Sequence, residues 1–202
     1  EQKVVNSTSN KIKLYPYGLI RRSGEPETTD FFVLHEGPLG VFDGSLTEKS
    51  YSDLKESGKS GLTFKPEKLG GWIGITDKYW MAALIPDQSQ KSKFTYRYIN
   101  SNKSYQTDFL GQLSVIAPNS EQVITSRVFS GAKKLNLLDS YENDLKIEHF
   151  DLAIDFGWFY FLTKPFFYAL SWANNLLGNF GLAILAITVI VKLVFFPLAN
   201  KS

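Results

Sequence analysis

The sequence contains no cysteine. That excludes a disulfide framework and any thiolate-based zinc or redox centre. Histidine is nearly absent as well: His35 and His149 are the only two among 202 residues, and they lie far apart. No Lys/Arg-rich block occurs, and a net charge of +2 is too small to argue for nucleic acid as a partner. The N-terminal stretch EQKVVNSTSNK is polar and carries no signal peptide. With no export signal of its own, the chain is expected to be a fragment. The most informative absence is that of acidic side chains late in the chain. All 20 Asp and Glu residues lie at or before Asp155, and of the 22 basic residues only Lys164, Lys192 and Lys201 come later. Residues 1–155 therefore have the near-balanced charge of a soluble surface, whereas Phe156 to Ala199 keep only two charges, as a membrane tether would.

What is present in the first 130 residues reads as short strands. Lys11–Ile20, Phe31–His35, Tyr79–Ile85, Lys93–Tyr98 and Gln122–Phe129 are rich in β-branched and aromatic residues and partly alternate. Turn signals separate them, among them Asp43-Gly44, Gly70-Gly71 and Pro86–Gln90. Short strands between frequent turns, without βαβ alternation or repeats, predict a mainly β domain of antiparallel pairs in a sandwich. The Lys-, Ser- and Gly-rich stretch 52–68 reads as a mobile excursion. From Ala132 to about Leu152, apolar residues at Leu135, Leu138, Tyr141 and Leu145 approach a helical period, so at least one helix is expected there.

The tail divides in two. Phe156–Leu177 is strongly aromatic; on a helix, Tyr160, Thr163, Lys164, Tyr168 and Ser171 form a narrow polar stripe against a wide face holding Trp158, Phe159, Phe166 and Trp172. That pattern suits a helix lying in the membrane–water interface, with Pro165 tolerated near its first turn. After Gly178-Asn179, the 20 residues Phe180–Ala199 contain one charge and thirteen Val, Ile, Leu or Phe. As a helix they extend about 30 Å, enough to cross a bilayer. Those thirteen contribute roughly −4 to −8 kcal/mol toward insertion, against about 2.5–3.5 kcal/mol for a central Lys. Hydrophobicity wins, and a transmembrane helix is expected. Lys192 lies about three residues past its middle, with Thr188 one turn and Gly181 three turns before it. The residues alone leave two readings open: a Lys snorkelling to the headgroups, or a cation facing a hydrated cavity.

Several apparent catalytic motifs fail. Asp155-Phe156-Gly157 spells a kinase metal-binding triplet without the loops that must accompany it. Gly58-Lys59-Ser60 lacks the earlier phosphate-loop glycine, whose place is taken by Asp53. His35-Glu36 reads as a strand end. No nucleophile, base and orienter converge, so no enzyme is expected, and no cofactor or metal is implied.

Six strings decide the family likeness: LYPYGLI (Leu14–Ile20), VLHEGPLGVFDG (Val33–Gly44), GGWIGITDKYWMAALIP (Gly70–Pro86), FGWFYFLTKPFFYAL (Phe156–Leu170), GNFGLAILAITVIVKLVFFPL (Gly178–Leu198) and ANKS (Ala199–Ser202). In this order they resemble the YidC-type membrane protein insertases of Gram-negative bacteria. The resemblance implies a periplasmic β-supersandwich, incomplete here, in residues 1–131, and a helical linker in 132–155. It further implies an interfacial amphipathic helix in 156–178, a transmembrane helix in 179–199, and the start of a cytoplasmic segment in 200–202. It also implies that the N-terminal anchor and the remaining core helices lie outside this sequence.

In that family a basic residue of the first core helix sits in a hydrophilic groove and receives substrate. Lys192 matches its position, where most members carry Arg, and Thr188 and Gly181 share its face. Lys keeps the charge but loses the planar fork for bidentate contacts. The implied activity is insertion and chaperoning of membrane proteins. The implied partners are nascent membrane proteins and the lipid bilayer, with Sec translocon components and the ribosome met through parts outside this sequence. The rival reading is a membrane-anchored periplasmic carbohydrate- or peptide-binding module, for which Tyr15, Tyr17, Trp72 and Trp80 could supply aromatic platforms.

Overall fold

Glycine and proline punctuation breaks the described part of the first 132 residues into thirteen strands, and the apolar pattern after them yields helices. The structure is a computed structural model describing residues 1–26, 34–157 and 159–199. It divides into two compact units, Glu1–Asp155 and Phe156–Ser202.

In the first unit every strand pairing is antiparallel. Strands β1 (Gln2–Asn6), β2 (Ile12–Leu14) and β3 (Tyr17–Ser23) precede β4 (Gly37–Phe42), β5 (Ser45–Glu48) and the short helix α1 (Tyr51–Glu56). Then come β6 (Leu62–Phe64), β7 (Trp72–Thr76), β8 (Trp80–Ile85), β9 (Lys93–Ile99) and β10 (Ser104–Leu110). Strands β11 (Ser114–Ile116), β12 (Ser120–Ile124) and β13 (Arg127–Ala132) lead into helix α2 (Leu135–Leu145). One sheet runs β13-β8-β7-β4-β5 and a second runs β3-β10-β9-β6, with β1-β12 and β2-β11 as small paired additions.

The two large sheets face each other. Phe42, Ile73 and Leu84 from the five-stranded sheet meet Phe94, Tyr96, Tyr105 and Phe109 from the four-stranded one. Gly40 is required at this interface, because a Cβ there would come within 2.9 Å of the Tyr96 hydroxyl. The opposite face of the five-stranded sheet is also covered. Leu39, Val41, Trp72, Met81, Ala83 and Ile85 form a second core with Leu138 of α2 and with Ile147, Phe150 and Ala153, the last two in a 3₁₀ turn (Phe150–Ala153). Trp72 packs edge-on against Phe150 at 5.2 Å, and its indole N–H donates to the Glu148 carbonyl at 3.2 Å. Helix α2 and the 3₁₀ turn are thus a third layer of this unit.

That double burial explains the strands that hydrophobic alternation does not reveal. Strands β4 and β7 are buried along their whole length, so GPLGVF and WIGIT show no period of two. The Asp43-Gly44 turn signal becomes a two-residue hairpin loop with φ of 55° and 79°, joining β4 to β5. Two expected strands are split. Pro16, which has no N–H to donate, separates β2 from β3, and Thr125-Ser126 separates β12 from β13, which join different sheets.

Of Phe31–His35, residues 31–33 lie outside the described residues, and Leu34 and His35 are not in a strand. The stretch 52–68, expected to be a mobile excursion, instead contains most of α1 and β6. Tyr51 and Leu54 are buried, and Ser50 and Asp53 close a reciprocal capping box. Short polar sequence hid the helix because its two apolar anchors are too few to show a period.

On the outer face of the four-stranded sheet, buried Asp108 pairs with Arg97 at 3.1 Å and accepts from the Gln106 amide at 2.7 Å. The amide oxygen of Gln106 in turn accepts from Arg21. The buried Asp108 charge is thereby paired and hydrogen-bonded, as buried charge must be, while Arg97 Nε is left without a partner.

Candidate membrane-facing site on the C-terminal helices

The second unit is an α-helical pair, α3 (Tyr160–Leu177) and α4 (Phe180–Ala199). Gly178 ends α3 with a left-handed φ of 65°, and its N–H donates to the Asn174 carbonyl at 2.8 Å. Asn179 starts α4: its side-chain oxygen accepts from the N–H groups of Gly181 at 2.8 Å and Leu182 at 3.2 Å. The Gly-Asn pair therefore supplies a C-terminal stop and an N-terminal cap in successive residues.

Pro165 is the sixth residue of α3, in its second turn and not its first, and it has no N–H to return to the Phe161 carbonyl. Upstream, the Thr163 hydroxyl donates to the Phe159 carbonyl at 2.7 Å, and Lys164 Nζ donates to the Tyr160 hydroxyl at 3.1 Å. The polar stripe thus bonds to itself along the helix. Phe159 just ahead of the helix is 63% exposed and Trp172 on it 65%, and Phe166 is exposed too. Trp158 lies outside the described residues.

The two helices approach through small residues. Ala173 and Ala183 are the only buried side chains of this unit among the described residues. Ala186, Ile187 and Val191, partly covered, continue the Ala183 side of α4. At about 100° per residue, Gly181, Thr188 and Lys192 fall within about 40° of one another, and Lys192 lies about 180° from Ala183. All three are exposed, on the side of α4 turned away from the α3 contact. The Thr188 hydroxyl donates to the Ile184 carbonyl at 2.7 Å, so its donor is used within the helix. Lys192 makes no ion pair among the described residues. A helical period in the sequence is enough to group these three, but it does not show which side of α4 packs on α3, which the burial of Ala183 marks.

The aromatic residues of the rival reading separate. Trp72 is wholly buried, whereas Tyr15, Tyr17 and Trp80 are exposed. Trp80 borders a cleft of about 240 Å³ with Arg21, Arg22 and Asp77. Arg22 and Asp77 bond one another at 2.5 Å, so the cleft holds one carboxylate, already engaged.

Fold and helices together define a class: a β-rich domain followed, among the described residues, by one helix, Phe180–Pro197, long and apolar enough to cross a membrane. Residues 1–169 match the sequence family described as the YidC periplasmic domain. The membrane protein insertase YidC of Rickettsia akari (strain Hartford) is 47% identical over 204 residues, covering 100% of this chain and 36% of that protein. The membrane protein insertase YidC of Methylorubrum extorquens (strain PA1) is 46% identical over 207 residues, covering 98% of this chain and 34% of that protein. This chain belongs to the YidC family. It spans about a third of the length of the relatives it matches. Its β-rich part is a periplasmic domain, held at the bacterial inner membrane.

One prediction arises from the exposed aromatics of α3. In bilayers with brominated lipids, the emission lost on Trp172→Phe is expected to be quenched more by bromines near the headgroups than by deep ones. Equal protection from both would instead place Trp172 inside protein.

Proposed function

We propose that this chain is the part of a membrane protein insertase and chaperone that presents a basic residue to substrates entering the inner membrane. The observation that carries this reading is Lys192: a lone cation on an otherwise apolar span, exposed beside Thr188 and Gly181 on the face opposite the α3 packing. A charge at that depth disfavours insertion by up to about 3 kcal/mol, so an intramembrane Lys facing away from its neighbouring helix points to a hydrated path. The names of the relatives support the same activity.

On this reading Phe180–Ala199 crosses the membrane, 156–178 lies at its periplasmic surface with Phe159, Phe166 and Trp172 in the interface, and 200–202 begins the cytoplasmic side. Residues 1–131 are the sandwich and 132–155 the helical layer that leads from it to the membrane. The mechanism needs no bond chemistry. The Lys192 ammonium attracts polar or acidic segments of nascent membrane proteins and lowers the energy of bringing them into the bilayer, while apolar segments partition into lipid. Sec components and the ribosome would act on the same substrates before and during this step.

The test substitutes Lys192 in the complete protein. Lys192→Arg is expected to preserve insertion of every substrate, since the charge remains. Lys192→Ala is expected to impair substrates with charged translocated segments and to spare those with little to carry across. An alanine variant that inserts every tested substrate normally would overturn the groove role in favour of snorkelling.

A further inference from the structure

The turn from α2 into the 3₁₀ segment brings together three side chains that the insertase reading does not use. Ligand atoms of Glu142, His149 and Asp151 all lie within 4.8 Å of one another. Glu142 stands one helical turn after the buried Leu138 and is half-buried, His149 is exposed, and Asp151 is buried. The set is held by a rigid frame. Phe150, between His149 and Asp151, is locked edge-on by Trp72 at 5.2 Å and Phe129 at 5.5 Å. The Asp151 N–H donates to a Glu142 carboxylate oxygen at 3.4 Å.

We propose that Glu142, His149 and Asp151 form a binding site for a divalent transition ion of the zinc type, clamping α2 to the 3₁₀ turn on the outer face of the five-stranded sheet. The donor set selects the ion. One imidazole nitrogen with two carboxylates suits zinc and its neighbours, whereas calcium and magnesium take oxygen donors alone. Three protein ligands leave a fourth tetrahedral position for water. With metal–ligand bonds of about 2.0–2.2 Å, a tetrahedral shell needs ligand atoms about 3.3–3.6 Å apart. Reaching that spacing from the present one calls for side-chain movement, which exposed His149 and half-buried Glu142 have room to make.

The test uses the whole chain in detergent, stripped with a chelator and titrated with zinc chloride by calorimetry. One ion is expected to bind per chain. At a hundredfold excess over its Kd, zinc is expected to raise the Tm of the β-rich unit by about 5–10 °C. His149→Asn, which suits the left-handed φ of 51° at that position, and Glu142→Gln are each expected to weaken binding at least about tenfold. His35→Ala, at the only other histidine, is expected to change nothing. No saturable binding by the unaltered chain, or binding that survives both ligand substitutions, would overturn the site.

Discussion

Phe150→Ala is expected to lower the stability of the Glu1–Asp155 unit by about 3–5 kcal/mol, the range for emptying a fully buried phenylalanine site. Phe150 is 0% exposed and sits edge-on to both Trp72 and Phe129. Neither ring can follow it into the vacated space. Trp72 is tied by its indole N–H to the Glu148 carbonyl, and Phe129 is held in β13 by pairing with Ala83 of β8. The cavity would therefore stay largely open, and the cost should fall in the upper part of the range. Urea unfolding of the chain in detergent, followed by near-ultraviolet dichroism of Trp72, measures it. A loss under about 1 kcal/mol would mean that the helical layer is peripheral to the sheet, because a packed layer cannot lose its central ring so cheaply.

Lys192→Leu is expected to move the insertion free energy of α4 in the favourable direction by about 3–4 kcal/mol, the difference between a central Lys and a Leu on the biological insertion scale. Since thirteen strongly apolar residues already drive the span into the bilayer, the effect must be read in a background where alanines dilute it to half insertion. Snorkelling shortens the depth at which the ammonium is held, so a shift below about 1 kcal/mol would place the charge at the headgroups. A full shift, together with impaired handling of charged substrates by Lys192→Ala, would show one residue acting against the partitioning of its own helix and in favour of the work of the protein. That opposition separates a functional intramembrane charge from a tolerated one.

Legibility varied with how each element is buried. The transmembrane helix could be read from composition alone, since a bilayer demands about 20 apolar residues wherever they sit. Strands β8 and β9 were legible because their aromatic and aliphatic runs end at clear turns, and α2 because Leu135, Leu138, Tyr141 and Leu145 keep a helical spacing. Strands β4 and β7 were not, because a layer on each side of the sheet removes the alternation by which a strand is recognised. Helix α1 was hidden for the opposite reason: it buries only Tyr51 and Leu54, and the rest of it is polar. Of the candidate site, the grouping of Gly181, Thr188 and Lys192 follows from helical geometry, while the cluster of Glu142, His149 and Asp151 spans a turn whose path no local pattern specifies.

The amino-acid sequence by itself determined the division of labour along this chain: a charge-balanced β-rich part up to Asp155, an aromatic stretch, and an apolar span with one Lys. These properties are sums and periods over neighbours in the chain, and hydropathy and charge act residue by residue whatever the fold. Only the tertiary structure decided that α2 and the 3₁₀ turn are a layer of the domain, that Trp72 is core and Trp80 surface, and that the Lys192 face turns away from α3. Each depends on which distant residues meet: Phe150 with Trp72, Gly40 with Tyr96, α3 with the Ala183 side of α4. Burial is a property of such pairs, and a chain has no pairs until it has folded.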